Sequence, residues 1–583
     1  MASLTEAIYS DDYMDLLVRS YVFDQEPFQQ LGLEDSHRLL LNSQYSVLYL
    51  RRSAHRDILS ETFPYNTIPK LFMPLDTQAV EAAGIRQVQN QPVLSLKGRG
   101  VLTGFIDTGI DYTHPAFRNS LGRSRIISIW DQTDTGGTPP EFFPYGSVYS
   151  QEDIDRALNA SDPYSVVPSL DDTGHGTALA GIAAGSADLS AGFLGAAPES
   201  GILMVKLKTA KEYLRDFAFA SPKATLYQEN DIIAAYLYLV RTAQSLQMPL
   251  IVCLALGSSQ GGHSGETPLS SVLERYGNVP GIVPVVACGN EAGRAHHFYP
   301  ANLSEAASAG TSGDISPSGT PASMPVTVEI RVPENAAGFL CEIWGQPPQN
   351  LSVGFRSPVG ETIPRIPVSL DRFEQIRFAL EETMIHVSYN LILPSSGSQL
   401  IFLRFHRPTA GIWNLLVYGA SPEQRFHIWL PMYEFLDRDV TFLSPDPYTT
   451  LTTPSAASAV ISVGAYNSGN GSLYIHSGRG FTRTGGIKPD LCAPGVSVTA
   501  PGLDGTYIPV TGTSAAAAMT AGAAALLMEW AAKRQPSSYL TAYETKIYLI
   551  RGAVRMPDLL YPSQEWGYGT LELYRSFLSL LTF

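Results

Sequence analysis

The sequence predicts a doubly wound α/β unit that is interrupted by an antiparallel β-sandwich and preceded by a small α+β unit. Three observations predict it. From about residue 95, continuous apolar runs alternate with helical stretches. Between about 305 and 445 the helical stretches vanish and short strand-like segments take over. After about 445 the first pattern resumes, so the middle block is an insertion rather than a tail. The expected units are residues 1–80, 81–305, 306–444 and 445–583, with the second and fourth forming one domain.

In the first unit, SQYSVLYLRRS (43–53) has the aliphatic and aromatic content of a strand. DLLVRSYVF (15–23) and SHRLLL (36–41) fit a helix or a strand. FPYNTIPKLFMPLDTQ (63–78) is punctuated by proline and reads as an extended tail or linker. In the α/β unit, VLTGFID (101–107), GILMVKL (201–207), LIVCLAL (250–256), GIVPVVA (281–287) and AVISVGA (459–465) suit strands buried on both faces of a parallel sheet. HGTALAGIAAG, NDIIAAYLYLVRTAQSL and SSVLERYG lie between them as helices. In the insertion, PVTVEIRVP, LSVGFRSP, ETMIHVSYNLIL, QLIFLRFH, GIWNLLVYG and RFHIWLPM are strand-like and separated by turn residues, the pattern of a sandwich.

Composition narrows the function. A net charge of −15 opposes nucleic acid, whose phosphates call for a basic surface. No uninterrupted apolar run reaches the roughly 20 residues that cross a bilayer. The start, MASLTEAIYSDDYMDLLVRSY, has neither a basic lead nor an apolar stretch, so no secretory signal is visible. The four cysteines, Cys253, Cys288, Cys341 and Cys492, are scattered and suggest neither a zinc site nor a disulfide scaffold. No metal or cofactor motif is found, and oligomeric state is not legible.

Three segments carry chemistry. In GFIDTGIDYTHP, Asp107 ends a buried strand; in DDTGHGTALAGIAAG, His175 opens a small-residue helix; in GTSAAAAMTAGAAALLMEW, Ser514 opens an alanine-rich helix. A hydroxyl becomes a nucleophile when a neutral imidazole removes its proton, and a carboxylate on the other ring nitrogen fixes the tautomer. The start of a helix offers N–H groups to an oxyanion. In VVACGNEAG, Asn290 follows a strand and a glycine, where its amide can donate to the same oxyanion.

D-T-G at Asp107, G-H-G-T at His175 and G-T-S-A at Ser514, in that order, resemble the signatures of the subtilases, and K-P-D-L-C-A-P-G (488–495) is a fourth match. The resemblance covers about 95–305 and 445–583. It implies a serine endopeptidase with Asp107, His175 and Ser514 as its triad, working through an acyl-enzyme, with Asn290 in the oxyanion hole. It further implies that LALGSS (254–259), with Ala255, Leu256 and Gly257, forms the edge that pairs with substrate. ACGN (287–290), with Ala287 and Gly289, would floor the first specificity pocket, which the small residues suggest is roomy. IPKLF, EAAGI and the following G-x-G-V, together with the insertion, are similar to the clostridial germination proteases. That group carries an inserted jelly-roll domain, and its substrate is a cortex-lytic proenzyme. Its likeness implies a prodomain over residues 1–80 that acts as chaperone and inhibitor, cut between about 64 and 96, and a protein or proenzyme substrate. It also implies a bacterial protein, cytoplasmic or spore-associated, with release by a route other than the secretory signal left open. Some members have lost triad residues and serve as silent binding partners; the alternative here is such a scaffold, although all three residues are present.

Other residues are expected to be structural. His296 and His297 are adjacent and would face opposite ways along a strand, against a shared metal. His114 is expected to pack, Asp171 and Asp172 to sit in a solvated loop, and Cys288 to be an inert buried thiol. Trp344, Trp413 and Trp429 read as sandwich core rather than as a sugar platform.

Overall fold

A computed structural model of the chain describes residues 3–20, 37–53, 67–74, 81–188, 191–300, 325–348, 350–368, 373–419, 426–534 and 538–580. An eight-stranded sheet forms its centre. Its order is Leu491–Pro494, Ile461–Tyr466, Ile282–Ala287, Leu250–Leu254, Leu102–Asp107, Gly201–Lys206, Ile126–Asp131 and Ser147–Ser150. Every neighbouring pair is parallel except the last. Alternation along the strands builds a core on each face. Ile251, Cys253 and Phe105 join the helices His175–Ala184 and Thr513–Arg534 on one side. Leu250, Val252, Leu254, Leu102 and Ile106 join Glu229–Ser245 and Pro268–Gly277 on the other. Burial on both faces is why these strands read as unbroken apolar runs.

Thr513–Arg534 is long and apolar enough to cross a membrane, a possibility the uninterrupted-run criterion had missed. Its most apolar window is 89% buried inside the protein, so it is a core helix. Small residues let its neighbours approach closely: a Cβ on Gly522 would lie 2.3 Å from the Ala196 side chain.

The first unit consists of the helix Leu4–Tyr9 and an antiparallel sheet ordered Tyr13–Arg19, Tyr45–Arg51, His37–Leu40. Both segments of undecided type are therefore strands in their described parts; residues 21–36 lie outside the described residues. A buried ion pair ties the unit to the α/β domain. Asp15 sits 2.6 Å from Lys211, whose ammonium also donates to Ala7 O. Gln228 and Asn230 donate to the other Asp15 oxygen, each at 3.2 Å.

Among its described residues the insertion forms two antiparallel sheets. One is ordered His297–Phe298, Phe426–Trp429, Gly338–Gly345, Gln399–His406, Met384–Asn390, Phe373–Arg377. The other is ordered Thr362–Ile363, Ser352–Arg356, Gly411–Tyr418, Val326–Val332, Thr441–Phe442. The first sheet thus recruits His297–Phe298 from ahead of the expected boundary at 305/306. Phe339, Cys341 and Ile343 face the other sheet, while Leu340 and Trp344 face the α/β domain. The insertion therefore buries both faces of its larger sheet, and Phe402 stacks on Phe217 across the junction, ring centroids 5.9 Å apart. Trp413 is sandwich core, but Trp344 and Trp429 are packed in this junction, both 3% exposed. None of the three is open to a sugar.

Candidate active site

The strand Leu102–Asp107 ends by presenting Asp107 at the rim of the sheet. The helix His175–Ala184 begins beside it, entered through Gly174 in the left-handed region (φ 81°). The second glycine of G-H-G is a matter of contact. A Cβ at Gly176 would lie 2.2 Å from Gly109 O and 3.1 Å from the Asp107 side chain. That approach brings His175 Nδ1 to 2.7 Å from Asp107 Oδ1, which also accepts from Thr108 N at 2.8 Å. With Nδ1 committed to the carboxylate, Nε2 is the nitrogen that can act as base.

Ser514 is the second residue of Thr513–Arg534 and is fully buried. Its Oγ has no hydrogen-bond partner among the described residues, so it does not cap its own helix. Asn290 Oδ1 accepts from Thr513 N at 3.1 Å and from Thr513 Oγ1 at 3.2 Å. The same hydroxyl receives Gly289 N at 3.2 Å. These bonds lock the Asn290 side chain beside Ser514 and leave its Nδ2 to donate.

Asp171 departs from the expected solvated loop. It is 5% exposed and accepts at 2.7 Å from Thr108 Oγ1 and from Thr177 Oγ1, and at 2.9 Å from Thr177 N and Gly174 N. Burial alone would raise its pKa, but the bonds from Thr177 and Thr108 hold it below the ordinary carboxylate range. Asp171 thereby fastens the turn after Asp107 to the first turn of the His175 helix. The D-D-T-G-H-G spacing carried a signal for it: Asp and Asn favour sites where they cap the following backbone N–H groups. Asp172, by contrast, is exposed and pairs with Lys206 at 3.1 Å.

The pocket residues behave differently from expectation. Ala287 and Gly289 lie at the end of Ile282–Ala287, and Ala255 and Leu256 follow Leu250–Leu254, all buried. Their small size serves Thr452, which sequence reasoning missed. A Cβ on Gly257 would come within 2.4 Å of Thr452 Oγ1, and one on Gly289 within 2.5 Å of Thr452 Cγ2. The glycines accommodate a neighbouring chain segment rather than leave a roomy pocket. Cys288 is fully buried, and burial pushes its thiol up to about 12, which fits the inert reading.

The substrate edge expected at Leu254–Ser259 is already paired. Leu71–Pro74 runs antiparallel to Leu256–Gly257, with Met73 opposite Gly257 and Pro74 opposite Leu256. On its other side it pairs antiparallel with Tyr227–Gln228, Leu71 opposite Gln228 and Phe72 opposite Tyr227. Within the proline-punctuated segment, Leu71–Pro74 is thus a central strand between two edges of the α/β domain. Residues 75–80 lie outside the described residues.

His114, His296 and His297 are all buried and packed. His114 accepts from Ala116 N at 3.1 Å and lies 3.0 Å from Thr506 O. His296 bridges Glu291 and Asp439, 2.9 Å from each, while His297 meets His427 at 3.0 Å. Among the described residues no group of three or more His, Cys, Asp or Glu side chains could hold a metal ion.

Comparison with known proteins identifies the family. The subtilase family matches residues 98–353 and 443–569. The structure of the Clostridium perfringens CspB protease superposes with a TM-score of 0.73 at 30% identity, covering 86% of this chain and 99% of that one. The subtilisin-like protease SBT2.2 of Arabidopsis thaliana is 36% identical over 104 residues, 16% of this chain and 12% of that protein. The PII-type proteinase of Lacticaseibacillus paracasei is 27% identical over 233 residues, 38% of this chain and 11% of that protein. The match thus spans only about a tenth of the length of these two curated relatives. With about two thirds of its residues under the family match and 86% of the chain covered in the superposition on CspB, the chain belongs to the subtilases, the subtilisin-like serine peptidases, and is Csp-like within them.

Proposed function

We propose that the protein is a serine endopeptidase made as a zymogen, with Asp107, His175 and Ser514 as its triad. The observations that carry this reading are the 2.7 Å contact between His175 Nδ1 and Asp107 Oδ1 and a buried Ser514 hydroxyl with no hydrogen-bond partner among the described residues. His175 Nε2 takes the Ser514 proton as Oγ attacks the substrate carbonyl. The oxyanion is stabilised by Asn290 Nδ2 and by N–H groups at the head of the Ser514 helix. Collapse expels the amine, which receives the proton from His175, and leaves an acyl-ester on Ser514. Water, deprotonated by the same imidazole, then releases the acid and restores the serine.

Residues 1–80 act as prodomain and inhibitor. Support comes from the Leu71–Pro74 strand, which lies in the cleft as an extended substrate would, its main chain paired on both sides. The cut falls just beyond it, within residues 75–80 and inside the expected span of 64–96. The inserted sandwich is read as a jelly roll, and protein or proenzyme chains as the substrates. Intact mass of the purified protein beside Ser514→Ala tests this. The wild type is expected to arrive cut within 75–80 and the alanine variant whole. Two whole proteins, with Ser514 silent toward a fluorophosphonate probe, would overturn the reading.

A further inference from the structure

We propose that the inserted sandwich is part of the substrate cleft and builds two extra subsites, which take a lysine and a leucine just upstream of the residues that pair with Leu256–Gly257. The proposal rests on reading that cleft as the peptide site and gives the insertion a role in choosing the substrate: chains that present Lys-Leu at the start of the bound strand.

The segment Ile68–Leu71 shows how such residues are held. Leu71 is 1% exposed, and its backbone N donates to Gln260 Oε1 at 3.1 Å. Its side chain borders a small cavity walled from one side by Ser258 and Gln260. The opposite wall comes from Leu340, Trp429, Met432 and Phe435, which belong to the insertion and its exit. The same apolar side chains form one core cluster with Leu71. The α/β domain alone would leave this leucine open to water on that side.

Lys70 repeats the pattern with charge. It is 5% exposed, donates from Nζ to Ile68 O at 2.7 Å, and accepts Glu229 N on its carbonyl at 3.0 Å. Burial lowers its pKa, while the carboxylates of Glu229 and Glu342 act the other way. Glu229 opens the helix Glu229–Ser245, directly after the cleft edge Tyr227–Gln228. Glu342 comes from the insertion, where strand alternation turns it away from the sandwich core with Leu340 and Trp344. It is 3% exposed, and its Oε2 accepts from Gly261 N at 2.9 Å and from Trp344 Nε1 at 3.0 Å. Bonds from both domains thus hold the acid at their seam, where its charge acts on Lys70. A buried cation is tolerated where carboxylates offset its desolvation, and a glutamate in its place would face two like charges.

The test uses the purified chain after self-cleavage, taken once intact mass shows that the residues ahead of the cut have left it, and three internally quenched peptides. One carries the sequence of residues 70–78, the second begins at 72, and the third replaces the leading Lys-Leu with Glu-Asp. The expected kcat/KM for the first is about tenfold or more above the other two, since burying one leucine is worth at least that factor. Glu342→Gln keeps an acceptor for Gly261 and Trp344 and is expected to shrink the preference for the first peptide over the third. Three peptides cleaved equally, within twofold, would overturn the proposal and leave the endopeptidase reading intact. Labelling of Ser514 by a fluorophosphonate without cleavage of any peptide also overturns it alone. No cleavage and no labelling removes the endopeptidase reading, and the proposal with it.

Discussion

At the scale of single residues, Asp171 explains how a loop and a helix hold Asp107 and His175 in register. One carboxylate satisfies two threonine hydroxyls and two helix N–H groups, all away from solvent. Replacing it by alanine strands those donors, each at a cost of about 1–3 kcal/mol. It also frees the His175 helix to shift against the Asp107 turn, and small misplacements are expensive in catalysis. Asp171→Ala is expected to lower kcat about 100-fold or more with little change in KM, measured on a short peptide. A loss confined to thermal stability, with kcat intact, would show that Asp171 only packs. The residue's type and neighbourhood were legible in D-D-T-G-H-G; its burial was not, because that depends on Thr108, in a turn more than sixty positions away. Thr452 escaped notice for the same reason, since the glycines it fills lie far from it in sequence.

At the scale of elements, short apolar runs and turn chemistry revealed the parallel strands, the main helices and most of the sandwich, because those signals are local. The strand Leu71–Pro74 was legible as extended but not as paired, since both of its partners are remote. The sheet of the first unit, earlier in the same chain, is held to the α/β domain through Asp15 and Lys211. Burial lowers the Lys211 pKa while the Asp15 charge raises it, so the lysine depends on that partner to stay charged. Removing one member of a buried pair leaves the other uncompensated, typically at about 3–5 kcal/mol. Asp15→Ala is therefore expected to loosen the first unit from the α/β domain. Limited proteolysis should then clip residues 3–53 at protease concentrations that leave the wild type untouched; unchanged resistance would count against the anchor.

At the scale of the whole molecule, the seam between insertion and α/β domain is lined with histidines of opposite tendency. His263 stacks on Trp429 at 3.9 Å between ring centroids, with Arg483 and Glu266 nearby. Burial pushes it down to about 4, and His297, beside it on Trp429, down to about 3. Their folded-state pKa values lie below the unfolded value, so their contribution is present near neutrality and is lost as pH falls from about 6.5 toward 4. For His296 burial works downward too, but the bonds with Asp439 and Glu291 hold it up to about 9. Its contribution is full below about 6.5 and is lost as pH rises toward 9. Thermal stability is expected to peak near pH 6–7 and fall on both sides, by about 3 kcal/mol on the alkaline side for His296 alone. Scanning calorimetry from pH 4 to 9 checks it, and His296→Gln should flatten the alkaline limb. The entry and exit of the insertion are themselves stitched together, Phe442 N donating to Ala295 O and Asp446 N to His297 O, both at 2.9 Å. The neighbouring sheet strands Ile282–Ala287 and Ile461–Tyr466 flank that stitch. Closing a long flexible loop to pair them would cost chain entropy, but a sandwich that has already collapsed brings its two ends together beforehand. With its ends pinned by that stitch, the insertion leaves ten residues from Ala287 to His297 and fifteen from Asp446 to Ile461 between the two strands. The span that closes when they pair is far shorter than the chain between them, and the insertion acts as a clamp on the central sheet.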